Sequence, residues 1–232
     1  MTILRGTLKA ASRSAAKSRI SRSVAAVGAE ALMRWNHPTR GLVPPDEFLG
    51  LADEMGLMND LGLLMMTQAS RQLAEWLARH PSAGKLFCSV NLSVGEIERP
   101  HLCEDVARII KETGLPKGAL KLEVTEGDIM RDTARAAEVL SRLKQAGASL
   151  ALDDFGTGFS SLSYLRLLPA DRLKIDRSFV LEIGEVSDQQ MIAEAVIQIA
   201  ARVGMQVIAE GVETQQQADW ILSHGCRQAQ GY

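Results

Sequence analysis

Two spacings of apolar residues alternate along this chain. From Val27 onward, short runs rich in β-branched and apolar residues are followed by longer segments whose apolar residues recur every three or four positions. That alternation predicts strands exchanging with amphipathic helices, the pattern of a parallel α/β fold. Strands are predicted at 28–33, 86–92, 119–124, 149–152, 172–175 and 206–209. One predicted helix starts at Asp132 or Thr133, buries Ala136, Val139, Leu140 and Leu143, and stops at Gly147. Another sets Met191, Ile192, Ala195, Val196, Ile199 and Val203 on one face and ends at Gly204. Gly114 with Pro116, and Gly225 beyond Trp220 and Leu222, end two more. No linker rich in Gly, Ser or Pro interrupts 27–232, so one domain is expected there.

Composition narrows the class. With 232 residues, 46% hydrophobic and 23% charged, the chain is long enough for one large core and is not a disordered or low-complexity polymer. Its longest apolar runs, such as 61–66, fall far short of the roughly 18 to 20 residues that span a bilayer, so no membrane span is expected. Cys88, Cys103 and Cys226 are odd in number and widely spaced, which argues against a disulfide scaffold or a zinc site and for a reducing cytoplasm. The net charge of −2 hides an asymmetry: residues 1–29 hold Arg5, Lys9, Arg13, Lys17, Arg19 and Arg22 and no acid. The remainder has 20 basic against 28 acidic residues, a charge of −8, which argues against a nucleic-acid groove. Residues 1–27 are expected to form a poorly ordered basic segment, and 28–232 the folded domain.

The chemistry gathers at the ends of the predicted strands. Glu30 lies in the first; Asn91 ends the second; Glu123 and Glu126 close the third; Asp153 and Asp154 the fourth; Lys174 and Asp176 the fifth; Glu210 and Glu213 the sixth. A parallel barrel delivers the C-terminal ends of its strands to one rim, where the active sites of such barrels sit. Two carboxylates about 4 Å apart repel by about 4 kcal/mol at an effective dielectric near 20, so a crowded acidic rim calls for bound cations. Oxygen donors without His or Cys select magnesium, manganese or calcium over zinc. The adjacent Asp153 and Asp154 suggest one carboxylate bridging two ions, an arrangement suited to phosphoryl chemistry.

In these residues the sequence resembles the EAL domains, phosphodiesterases of the bacterial second messenger cyclic di-GMP. The resemblance rests on Glu30-Ala31-Leu32 within GAEALMRWNHP, then VNLS at 90–93, LEVTE at 122–126, DDFGTGFSSLSYL at 153–165, LKIDRSFV at 173–180, AEGVE at 209–213 and QGY at 230–232. It implies a modified (β/α)8 barrel of TIM type that hydrolyses cyclic di-GMP to linear pGpG with two magnesium or manganese ions. By the same resemblance, Glu30, Asn91, Glu123 and Asp153 match ligands of one ion, and Asp153, Asp154 and Glu210 those of the other. Lys174 matches the group that polarises the attacking water, with Glu30 and Glu210 beside it in the catalytic set. Arg34, Asp176 and Gln230 match substrate-binding positions, while Glu126 and Glu213 match residues that anchor the 155–161 loop and support the site. That loop and its following helix resemble a homodimer surface.

The departures are at the ends. The family's first strand, with a Tyr-Gln-Pro-Ile type motif, has no counterpart in 1–29, and the chain stops at Tyr232, before the family's last helix. An incomplete barrel is therefore expected, its edges exposed unless part of 21–27 pairs as a replacement strand. Two other readings stay open: a non-catalytic module that binds cyclic di-GMP or a protein, and an inactive truncated remnant.

Overall fold

Six predicted strands form where expected, some of them longer, in a computed structural model that describes residues 4–11 (backbone alone), 27–81, 86–156, 164–184 and 187–231. They are β2 (Gly28–His37), β4 (Phe87–Asn91), β5 (Leu120–Thr125), β6 (Ser149–Phe155), β7 (Arg172–Ile175) and β8 (Gln206–Glu210), with β1 (Leu4–Ala11), the short β3 (Gly41–Val43) and β9 (Gln228–Gln230) added. The sheet order is β1-β2-β4-β5-β6-β7-β8-β9, with β3 hanging from β2. From β2 through β9 the neighbours along this path are parallel. The described α-helices are α1 (Leu49–Glu54), α2 (Met58–Arg79), α3 (Val94–Ile97), α4 (Leu102–Thr113), α5 (Glu126–Arg131), α6 (Thr133–Gln145), α7 (Arg177–Leu181), α8 (Asp188–Val203) and α9 (Gln215–Ser223). This is a TIM-type barrel whose sheet leaves a seam: β1 and β9 do not pair among the described residues.

Strand β5 shows how the sequence builds both layers at once. Leu120, Leu122 and Val124 are fully buried in the main core, which also takes in Val106, Ile109, Leu140 and Leu143 from α4 and α6. Burying each such side chain contributes about 1.5 to 3 kcal/mol. The alternate residues Lys121 and Glu123 are equally buried but face the barrel interior, where Glu123 meets Lys174 of β7 and Lys121 sits over the Phe87 ring of β4. The barrel is therefore polar inside, where such barrels are usually filled by branched apolar side chains.

Helix boundaries follow their caps. Asp132, rather than Thr133, caps α6 by accepting the Arg135 amide at 3.0 Å. Gly114 and Gly204 end α4 and α8 at φ of 66° and 82°, a conformation that costs glycine little. The face of α8 needs correction. Ala193, Val196, Ile197 and Ala200 are buried, whereas the predicted Met191 and Ile192 are 61% and 41% exposed. The small Ala193 and Ala200 let the helix approach the sheet closely, and that approach outweighs the larger apolar residues one step around the helix.

The N-terminal region also differs from expectation. Leu4–Ala11 lies antiparallel along all of β2 between Gly28 and Trp35, so the edge expected to be bare is paired. The physical reason is the row of β2 amides and carbonyls, which bonds to any extended segment that reaches it. Most of the replacement segment at 21–27 and of the 155–161 loop lies outside the described residues. No described helix is long and apolar enough to cross a membrane.

Candidate active site

The parallel strands carry polar residues at or near their C-terminal ends to the same rim, and the rim is organised around Lys174. The apolar flanks Leu173 and Ile175 anchor β7 in the core, which forces Lys174 inward. Its ammonium donates to Glu123 at 2.8 Å, Asp153 at 2.9 Å and Glu210 at 2.7 Å. Three carboxylates from β5, β6 and β8 thus converge on one cation that is 2% exposed. Burial alone would push Lys174 down; Glu123, Asp153 and Glu210 together override it and hold the ammonium above its ordinary value. Burial pushes Glu210 up to about 7, with repulsion from Asp153 and Glu30 adding and Lys174 opposing. Glu123 is raised for the same leading reason. One lysine does not neutralise this many acids.

Asp154 adds a further carboxylate. It stands at φ 52°, among the described residues the only non-glycine with positive φ, at the point where β6 shifts register against β7. Its pKa is raised by partial burial and by Asp153 and Asp176. Asp153, Asp154 and Glu210 each offer an oxygen within 4.8 Å of the others, a spacing that can hold a metal ion. The donors are all hard oxygens, and the described cysteines are buried elsewhere, which fits a hard cation better than zinc.

Glu30 forms the opposite wall. Asn91 donates to one of its oxygens at 3.3 Å and Gln230 to the other at 2.8 Å, so β2, β4 and β9 meet there across the mouth. Gln230 is held in turn by its carbonyl, which accepts the Val212 amide at 3.2 Å, and by Gly231, where a Cβ would lie 1.9 Å from the Val212 carbonyl oxygen.

The remaining predicted residues divide. Glu126 is buried; it accepts the Gly156 amide at 3.1 Å and the Tyr164 hydroxyl at 2.6 Å, so it ties both ends of the segment that follows β6. Burial first, and this bond second, hold the Tyr164 phenol above its ordinary value. Asp176 caps α7 (Arg177–Leu181) through the Ser178 amide and hydroxyl. Although burial works the other way, those bonds hold its carboxyl below the usual range. Glu213 pairs with Arg177 at 2.7 Å in an exposed position. Arg34 is half-buried on β2 and donates to the Met33 carbonyl.

Sequence reasoning missed Tyr164 as a partner of Glu126, although it lies within DDFGTGFSSLSYL. It also missed Lys121 and Arg172 inside the barrel. The signal was available in β5, where LKLEVT places a lysine in alternation with buried leucines, two residues before Glu123.

The EAL domain family model matches residues 17–232. A cyclic di-GMP phosphodiesterase, NbdA of Pseudomonas aeruginosa, is 42% identical over 204 residues, covering 88% of this chain and 26% of that protein. MucR of the same organism, a bifunctional diguanylate cyclase/cyclic di-GMP phosphodiesterase, is 38% identical over 206 residues, covering 89% of this chain and 30% of its own length. The chain thus spans between a quarter and a third of these curated relatives. Among solved structures, the PaMucR phosphodiesterase in complex with c-di-GMP superposes with a TM-score of 0.86 at 35% identity, covering 98% of this chain and 89% of that one.

Proposed function

Because the chain belongs to the EAL domain family, we propose that it hydrolyses one phosphodiester bond of cyclic di-GMP to give linear pGpG, acting in the cytoplasm. The carrying observation is the Lys174 cluster: Glu123, Asp153 and Glu210 on one ammonium, with Asp154 beside them and Glu30 held across the mouth by Asn91 and Gln230. No acid of the predicted set is missing, which favours catalysis over a binding-only module or an inactive remnant. In this reading Glu30, Asn91, Glu123 and Asp153 hold one magnesium or manganese ion, and Asp153, Asp154 and Glu210 a second. Bound there, the ions supply charge neutralisation and Lewis acidity at the scissile phosphate.

The protein's own residues do the rest. Lys174 is kept charged by its acidic neighbours; its three N–H groups go to Glu123, Asp153 and Glu210, and release of one of those carboxylates would turn that N–H to the attacking water, stabilising negative charge as it develops. Arg34, Asp176 and Gln230 position the substrate, and a guanidinium fork such as Arg34's suits a phosphate. Glu126 with Tyr164 holds the segment after Asp154, and so holds Asp154 in its unusual backbone conformation. The reading includes a homodimer formed on the side of the 155–161 loop, supported by Leu167, which is 69% exposed just beyond it; sedimentation of a Leu167→Glu variant as a monomer tests that part.

The decisive experiment follows cyclic di-GMP turnover by the purified chain. Chelation abolishes it, magnesium or manganese restores it, and calcium substitutes poorly because its larger coordination sphere spoils the geometry. Undiminished turnover by Asp153→Asn protein, or turnover indifferent to chelation, refutes the reading.

A further inference from the structure

The end of the barrel opposite the acidic rim has the reverse electrostatic problem. An open cavity of about 550 Å³ lies at the N-terminal ends of β6, β7 and β8, lined among others by Lys117, Lys144, Ser149, Asp171 and Arg172. Asp171 is the one carboxylate in that lining, and it is already spent: one oxygen pairs with Lys144 at 2.7 Å and the other accepts the Leu150 amide at 3.0 Å. Arg172 is left with only a 3.4 Å bond to the Gln228 amide oxygen. Burial holds its pKa below the ordinary value, with Asp171 only partly opposing.

Two buried donors beside this cavity have no partner. The Ser149 hydroxyl, on a residue 7% exposed that lines the cavity, bonds to nothing, and neither does the amino group of Lys121, the residue paired with Ser149 in the sheet. Lys121 Nζ and the Arg172 guanidinium lie over the same Phe87 ring, at 3.0 Å and 5.5 Å from its centre. Two basic side chains therefore share one aromatic ring at the end of the barrel where the unpaired Ser149 hydroxyl and the open cavity lie. A buried donor left unsatisfied is costly, and a lining that sets Lys117, Lys144 and Arg172 against Asp171 alone carries an excess of positive charge. An anion resolves both at this end, as cations do at the other.

We propose that this cavity is a second binding site, for a small phosphate-bearing anion, held by Arg172, Ser149 and Lys144. The hydroxyl and the planar guanidinium match phosphate oxygens better than a spherical halide. The volume falls in the range of small-molecule sites, so it admits a phosphate carried on a larger group as well as the free ion.

The test is calorimetric titration of the full chain with inorganic phosphate, pyrophosphate and a nucleoside monophosphate. It is run at constant ionic strength with chelator present, so that the acidic rim holds no metal. Saturable binding at one site per chain is expected for at least one of these probes, and the tightest of them identifies the source of the phosphate. Arg172→Gln and Ser149→Ala should each weaken it about tenfold, the order expected for losing one charge-assisted hydrogen bond. Lys144→Gln, more exposed and less apt to disturb folding, should weaken it in the same direction. Asp153→Asn should leave the affinity within twofold. Absence of saturable binding with all three probes overturns the proposal, as does binding unchanged in all the basic-end variants while their melting curves show folded protein. Loss of binding in Asp153→Asn would move the site to the acidic rim and also overturn it. Because the chelated titration does not depend on turnover, its failure is distinct from failure of the phosphodiesterase reading.

Discussion

Replacing Lys174 by Met removes the one ammonium that joins Glu123, Asp153 and Glu210, while keeping most of the side-chain volume. The ion pairs broken are those at 2.8, 2.9 and 2.7 Å, and the side chains involved are 2%, 3%, 14% and 20% exposed for Lys174, Glu123, Asp153 and Glu210. Removing one partner of a buried ion pair typically costs about 3 to 5 kcal/mol, because the other charge is stranded. Here three acids are stranded at once, but Glu210, already pushed up to about 7, takes up a proton near neutrality, and Glu123 is raised in the same direction, which limits the loss. Metal-free Lys174→Met should therefore lose about 3 kcal/mol at pH 7, or about 6 to 12 °C in melting temperature for a chain of this size. Saturating magnesium should recover much of that, since cations replace the lost ammonium. Metal affinity should hold or rise, while turnover falls about 100- to 1000-fold, the loss expected when a donor to developing charge is removed. The assay is paired urea denaturation with chelator and with magnesium, alongside turnover of cyclic di-GMP. Metal-free stability equal to wild type would refute the reasoning, and so would a loss that magnesium leaves untouched.

Glu96, buried in the capping box of α3 (Val94–Ile97), has one oxygen without a partner and a pKa raised mainly by burial. A raised folded pKa gives stability that is fully present below the unfolded value of about 4.3 and is lost as pH rises through the folded value. Glu96→Gln should flatten that part of the stability profile and, by urea melts, gain about 1 kcal/mol at pH 7, whereas an unchanged profile would show that Glu96 does not titrate there. Gly231→Ala drives a methyl into the Val212 carbonyl, so it should cost about 1 to 3 kcal/mol and weaken turnover by shifting Gln230 from Glu30; a wild-type melt would contradict this. Tyr164→Phe deprives buried Glu126 of a 2.6 Å bond and should cost about 1 to 3 kcal/mol, with hydrogen exchange at the Gly156 amide rising in step.

Much of this protein was legible in its residues alone. Six strands and the polar residues that end them follow from local alternation, because a strand's inward and outward positions are set by its own period of two. Once those strands are parallel, Glu30, Asn91, Glu123, Asp153, Lys174 and Glu210 must reach one rim. What the sequence left open was every choice between two locally equivalent options. The chain around α8 offers two overlapping apolar stripes, and only the fit of Ala193 and Ala200 against the sheet selects one. Leu4–Ala11 shows no motif of a first strand, yet the unpaired backbone of β2 takes it up, since backbone hydrogen bonds do not read side chains. Asp176 and Glu213 look like their neighbours at the strand ends, and only the folded chain shows that one also caps α7 and the other pairs with Arg177. Lys121 and Arg172 meet over Phe87 only because three strands curl far enough to bring them together. Periodicity tells which way a side chain points; what it then touches is decided by packing between elements distant in the chain.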